Sequence, residues 1–170
     1  THEEIATSIS LASAYQSIGQ QRRAVQILEG ALLLAEKTGD RSRVTLVRSK
    51  LGAALLLTLE TERAAALLSE ALAAARADKD LKLAAAILND LGNLLATQQK
   101  STEALMTYEE SAALARQTSN SWLTAQALCN AAATAARAGD GVFASGQFPD
   151  DLLQFATLEP FAAGQRAQDR

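Results

Sequence analysis

Apolar residues recur at helical spacing from the first residues onward. Leu11, Tyr15 and Ile18 fall on one side of a helix over about Glu3 to Ile18. Val25, Leu28, Leu32 and Ala35 do the same over about Arg22 to Lys37. Gly19 and Gly39 follow these runs, where a helix commonly ends in a left-handed residue. Asp40, Asp80 and Asn120 stand where a side chain caps the next helix by accepting its free backbone N–H groups, and Thr61 and Ser101 are placed to cap later second helices.

The pattern then repeats. Ala24, Ala64, Ala104 and Ala144 are each 40 residues apart. Leu11, Leu51 and Leu91 keep that spacing, as do the small residues after them, Ala12, Gly52 and Gly92. Tyr15, Leu55 and Leu95 align, and in the second half of the unit so do Leu28, Leu68 and Tyr108, then Ala31, Ala71 and Ser111, then Ala35, Ala75 and Ala115. A large residue followed by a small one lets a neighbouring helix come close. A lone helix pair cannot bury its apolar face, so the units must stack. The expected fold is an all-α solenoid of about three and a half helical hairpins. Its units run over about 3–40, 41–80, 81–120 and a partial 121–140, within an array of residues 1–140.

The columns Leu11-Ala12, Leu51-Gly52 and Leu91-Gly92, with Tyr15/Leu55/Leu95, Ala24/Ala64/Ala104, Leu28/Leu68/Tyr108 and Ala31/Ala71/Ser111, resemble the tetratricopeptide repeat family. A weaker fourth copy has Ala131-Ala132, Ala135 and Ala144. The 40-residue unit exceeds the usual one and is similar to repeats of kinesin light chain, animal spindle-orientation adaptors and bacterial regulatory proteins. The proline usual near a unit's end is absent. The resemblance implies a right-handed superhelix and a concave face lined by the first helix of each unit. It assigns Ser10, Ser13, Ser17, Lys50, Ala53, Asn89, Asp90, Asn93, Thr97, Asn130 and Arg137 to that face or its edges. Of these, Lys50, Asn89, Asp90, Asn93, Thr97, Asn130 and Arg137 are the candidate peptide-binding residues. Asn both donates and accepts hydrogen bonds, so it suits a peptide backbone. Its weak helix propensity makes its use inside a helix notable. Asn93 follows the Leu91-Gly92 pair, as in the adaptor-type relatives. The Lys and Arg set by which some relatives grip a terminal carboxylate is missing, and Asp90 would repel one.

Composition sharpens this picture. Hydrophobic residues make up 48% of the 170, but aromatics only 4%, so Ala and Leu must build the core. Both prolines, Pro149 and Pro160, lie near the C-terminus. The formal net charge of −3, with both signs interspersed, argues against a nucleic-acid partner. No apolar run is long enough for a membrane span. The single cysteine rules out an intramolecular disulfide and favours a cytoplasmic origin. Beginning at Thr1, the chain is expected to be part of a larger multidomain protein.

Catalytic chemistry has little to draw on. His2 is the only histidine and lies at the terminus. Cys129 has no histidine partner and is expected to be a small, semi-buried, inert residue. No ligand cluster suggests a metal, no Gly-rich loop suggests a nucleotide, and no cofactor is expected. Trp122 is expected to pack against the preceding helix. After Asp140 the repeat fails at Gly141, Gly146 and Pro149, and all four phenylalanines follow. Residues 141–170 therefore read as a divergent segment that caps the array. The function expected is a non-enzymatic scaffold binding a helical or extended peptide on its concave face. The alternatives are self-assembly through array ends and a regulatory sensor attached to an effector domain.

Overall fold

The computed structural model describes residues His2–Ala138; the expected capping segment 141–170 lies outside them. Seven helices follow one another: α1 (His2–Ser17), α2 (Gln21–Thr38), α3 (Arg41–Leu57), α4 (Thr61–Ala77), α5 (Leu81–Thr97), α6 (Ser101–Gln117) and α7 (Ser121–Arg137). No strand occurs among the described residues. Each helix packs against the next, and three and a half hairpins form an all-α solenoid.

All six joints turn on one left-handed residue, and five of them close with the same hydrogen bond. The residue two before each new helix takes a left-handed conformation: Gly19 and Gly39 at φ 78° and 68°, Leu59, Lys79, Gln99 and Ser119 at φ 64°, 57°, 61° and 55°. The next backbone N–H closes the old helix by bonding five residues back: Gln20 to Tyr15, Glu60 to Leu55, Asp80 to Ala75, Lys100 to Leu95 and Asn120 to Ala115, at 2.8–3.0 Å. This is the closure expected where a left-handed residue ends a helix. Side chains then start the odd helices: Asp40 accepts from the Arg43 backbone N–H, Asp80 from Leu83 and Asn120 from Leu123. The even helices begin differently. Their caps are Gln20, Glu60 and Lys100, without a side-chain cap bond. Thr61 and Ser101 are therefore not caps but first helical residues, because the turn register places the cap one position earlier.

The repeated columns form the core. Ala24, Ala64 and Ala104 are fully buried, as are Leu28, Leu68 and Tyr108 within about one percent. The small residue opposite each large one is required. A Cβ on Gly52 would sit 2.7 Å from Leu68 Cγ, and one on Gly92 would sit 2.5 Å from Tyr108 Cε1. Ser111 occupies an Ala column without penalty because its hydroxyl donates to the Ala85 carbonyl at 2.7 Å. Leu11 and Ile18, expected on the apolar face of α1, are 46% and 65% exposed. No described helix precedes α1, so the side buried by Leu51 in the next unit has nothing to meet here.

Cα atoms of α1 and α3, α3 and α5, and α5 and α7 approach within 8 Å, whereas successive even helices do not. The odd helices thus lie along the tight inner edge and the even helices along the wider outer one. Long side chains span the outer gap: Arg63 pairs with Glu29 at 2.7 Å, and Arg76 pairs with Glu110.

Candidate functional site

The odd helices place all seven candidate residues on or beside the inner face, in two groups. The first joins α3, α5 and α7. Asn130 donates its side-chain N–H to Asn89 Oδ1 at 3.0 Å, and Asn89 in turn hydrogen-bonds Asp90. Asn89 is 3% exposed, so it lies between helices rather than on an open surface. Burial pushes the Asp90 carboxyl up to about 6, against the lowering influence of Lys50 and of the Asn89 hydrogen bond. Lys50 is exposed and acts on Asp90 through space.

The second group joins α5, α6 and α7. Arg137 Nη2 donates to Thr134 Oγ1 at 3.2 Å, Thr134 hydrogen-bonds the Tyr108 phenol, and Tyr108 donates to Asn93 Oδ1 at 2.8 Å. Burial raises the Tyr108 pKa, so the phenol stays protonated and remains a donor. Arg137 is also held by its own helix, through Nε to the Ala133 carbonyl at 3.2 Å. Thr97, one turn beyond Asn93, spends its hydroxyl on the Asn93 carbonyl at 2.8 Å. With Thr134, Arg137, Gln99 and Ser101 it lines a cavity of about 640 Å³.

Both chains of hydrogen bonds have a direction, and that direction orients two amides. Asp90, when ionised, only accepts, so Asn89 must turn its NH2 toward it and its carbonyl oxygen toward Asn130. Asn130 is left with its oxygen uncommitted among the described residues. Tyr108 fixes Asn93 in the opposite sense, leaving its NH2 uncommitted. One groove acceptor and one groove donor result. A peptide main chain presents the complementary N–H and C=O.

Tyr108 and Thr134 were not singled out from the sequence. The available signal was a tyrosine in a column otherwise held by Leu28 and Leu68, beside a glycine. Other assignments change. Ser10, Ser13 and Ser17 donate back to the carbonyls of Ala6, Ile9 and Ala14 on α1, so their hydroxyl protons are already committed. Trp122, expected to pack, is 72% exposed at the start of α7, in a column whose other members, Ser42 and Lys82, are also exposed. Cys129, expected to be semi-buried, is exposed. Its counterparts Ser49 and Asn89 are buried, Asn89 against Asn130 of α7, and no described helix follows α7. His2 lies 3.9 Å from Asp40, away from both groups. Among the described residues, no three His, Cys, Asp or Glu side chains gather to hold a metal ion, and no helix is long and apolar enough to cross a membrane.

No family model matches the chain, and no curated protein matches it. Solved structures do. The crystal structure of BtubC (BKLC) from P. vanneervenii is 22% identical, with a TM-score of 0.71 over 89% of this chain and 63% of that one. This chain therefore spans less than two thirds of that structure. The crystal structure of nearly identical TPR-like repeats of a putative kinesin light chain from Podosopora anserina is 20% identical. Its TM-score is 0.74 over 92% of this chain and 77% of that one.

Proposed function

We propose that this tetratricopeptide-like array is a non-enzymatic binding module that holds a peptide segment of a protein partner, helical or extended, along its inner face. The residues involved are Lys50, Asp90, Asn93, Thr97, Asn130 and Arg137, with the buried Asn89, Tyr108 and Thr134 as positioning residues. The supporting observation is the pair of oriented amides. Asn93 offers a donor and Asn130 an acceptor, each held by a neighbour, so little side-chain freedom is lost when a main chain docks. A pull-down with the isolated chain, followed by peptide mapping, identifies a partner segment. Replacing Asn93 and Asn130 together by Ala should weaken that segment by about 1 kcal/mol per lost hydrogen bond, with helicity unchanged. Unchanged affinity by calorimetry would place the binding surface elsewhere.

A second reading has its own observation. The exposed Leu11 on α1 and Ile18 just after it leave an apolar strip at one end of the array. Association of copies through that end gives a mass that rises with concentration in light scattering and falls when Leu11 and Ile18 are replaced by Ser.

A further inference from the structure

Asp90 combines partial burial with the lack of an ion pair, unlike the acids of the array that pair with a cation. Asp40 pairs with Arg43, Glu60 and Glu29 with Arg63, Glu36 and Glu70 with Arg48, and Asp78 with Arg41. Asp90 is half-buried on the inner face, yet among the described residues it makes no ion pair. One hydrogen bond from Asn89 satisfies a fraction of what a carboxylate accepts. Such a charge is costly to the folded array and needs a compensating group.

We propose that Asp90 selects the bound segment: a Lys or Arg side chain of the partner seats against its carboxylate while the adjoining main chain lies on Asn93 and Asn130. This rests on the inner-face reading above and adds the chemistry of the ligand. A cation brought to a desolvated carboxylate gains more than one meeting an exposed acid, because the surroundings screen less. Arg is especially suited, since its guanidinium donates two parallel bonds to a carboxylate. The cation is a side chain rather than a metal ion, for among the described residues no three His, Cys, Asp or Glu side chains gather as a ligand set. Two cations of the array act in the same region, Lys50 from α3 on Asp90 and Arg137 from α7 on Tyr108 of α6, which Asp90 also influences. Lys50 is exposed, so its charge is screened and its flexible stem can swing into solvent. Arg137 is tied to Ala133 and Thr134. An acidic segment would gain those two screened charges but meet Asp90 directly.

The test is selection of a phage-displayed random peptide library on the full chain near neutral pH, repeated on Asp90→Asn. Selected peptides should carry Lys or Arg at one recurrent position. They should bind Asp90→Asn about tenfold to a hundredfold more weakly. Asp90→Asn keeps the Asn89 hydrogen bond, and circular dichroism verifies its fold. Because burial pushes the Asp90 carboxyl up to about 6, affinity should fall several-fold between pH 7 and pH 5. Peptides that depend on Asn93 and Asn130 but show no basic position, or bind Asp90→Asn equally, overturn the role of Asp90 and leave the inner-face reading standing. Peptides indifferent to Asn93→Ala and Asn130→Ala overturn the inner-face reading itself. A selection that enriches no peptide counts against both.

Discussion

The Tyr108 ring lies directly on the bare Cα of Gly92, at the place where any other residue would carry its Cβ. The same ring sends its hydroxyl to Asn93, the next residue along α5. Packing and the candidate site therefore meet in one side chain. Gly92→Ala should be destabilising by about 1–3 kcal/mol, since a buried ring cannot flex away, partly offset by the roughly 1 kcal/mol better helix propensity of Ala. Gly52→Ala should be destabilising as well, because its Cβ would meet the buried Leu68 at the branch carbon. A double-mutant cycle pairing Gly92→Ala with Tyr108→Leu, followed by denaturant melts, should show a favourable coupling. Additive effects would remove the ring as the cause.

Stability should depend on pH through Asp90 with an unusual sign. Its folded pKa is raised from 3.8 to about 6, so the folded state holds its proton more tightly than the unfolded chain. Stability from this group is present at low pH and lost as pH rises through roughly 4 to 6, by on the order of 1–3 kcal/mol. Asp40 and Glu60 act the other way. The Arg43 backbone N–H and the Arg63 side chain hold their carboxyls low, so those groups lose stabilisation in acid. The difference between the parent and Asp90→Asn isolates the first effect. The variant should be more stable at pH 7 and nearly equal at pH 4 in thermal melts.

Leu59 holds a left-handed backbone with a side chain that is 76% exposed. A left-handed conformation costs a non-glycine residue about 1–2 kcal/mol, and glycine returns some of that as unfolded-state entropy. Leu59→Gly should raise stability by up to about 1 kcal/mol. A lowered melting temperature would show that Leu59 makes a contact of greater worth.

The segment 141–170 is proposed to cap the array. Ending the chain after Asp140 should then lower the melting temperature and increase aggregation, seen by calorimetry and light scattering. An equally stable, monomeric truncated chain would remove the capping role.

The period and the packing columns were legible because each depends on residue size at a fixed spacing: Ala24 on Ala64, Gly52 against Leu68. The caps Asp40, Asp80 and Asn120 were legible because their chemistry is local. The left-handed turns were legible only where glycine marks them, at Gly19 and Gly39. Leu59, Lys79, Gln99 and Ser119 adopt the same backbone because the helices on either side impose it, and no local signal reports that. Side-chain partners across helices were not legible. Asn89 and Asn130 are 41 residues apart and meet only after stacking. End effects were likewise hidden, since Leu11 and Cys129 occupy columns that are covered elsewhere in the array.

The outer gap between even helices has a mechanical consequence. The inner edge is held by packed side chains, so spreading it would separate atoms in contact at every joint. The outer edge is bridged by exposed ion pairs, each worth at most about 1 kcal/mol. The array is thus stiff along one rim and compliant along the other, like a leaf spring clamped on its inner curve. A pull on its ends would tighten or relax the bend by exchanging Arg63–Glu29 and Arg76–Glu110 for water, while Asn93 and Asn130 keep their separation.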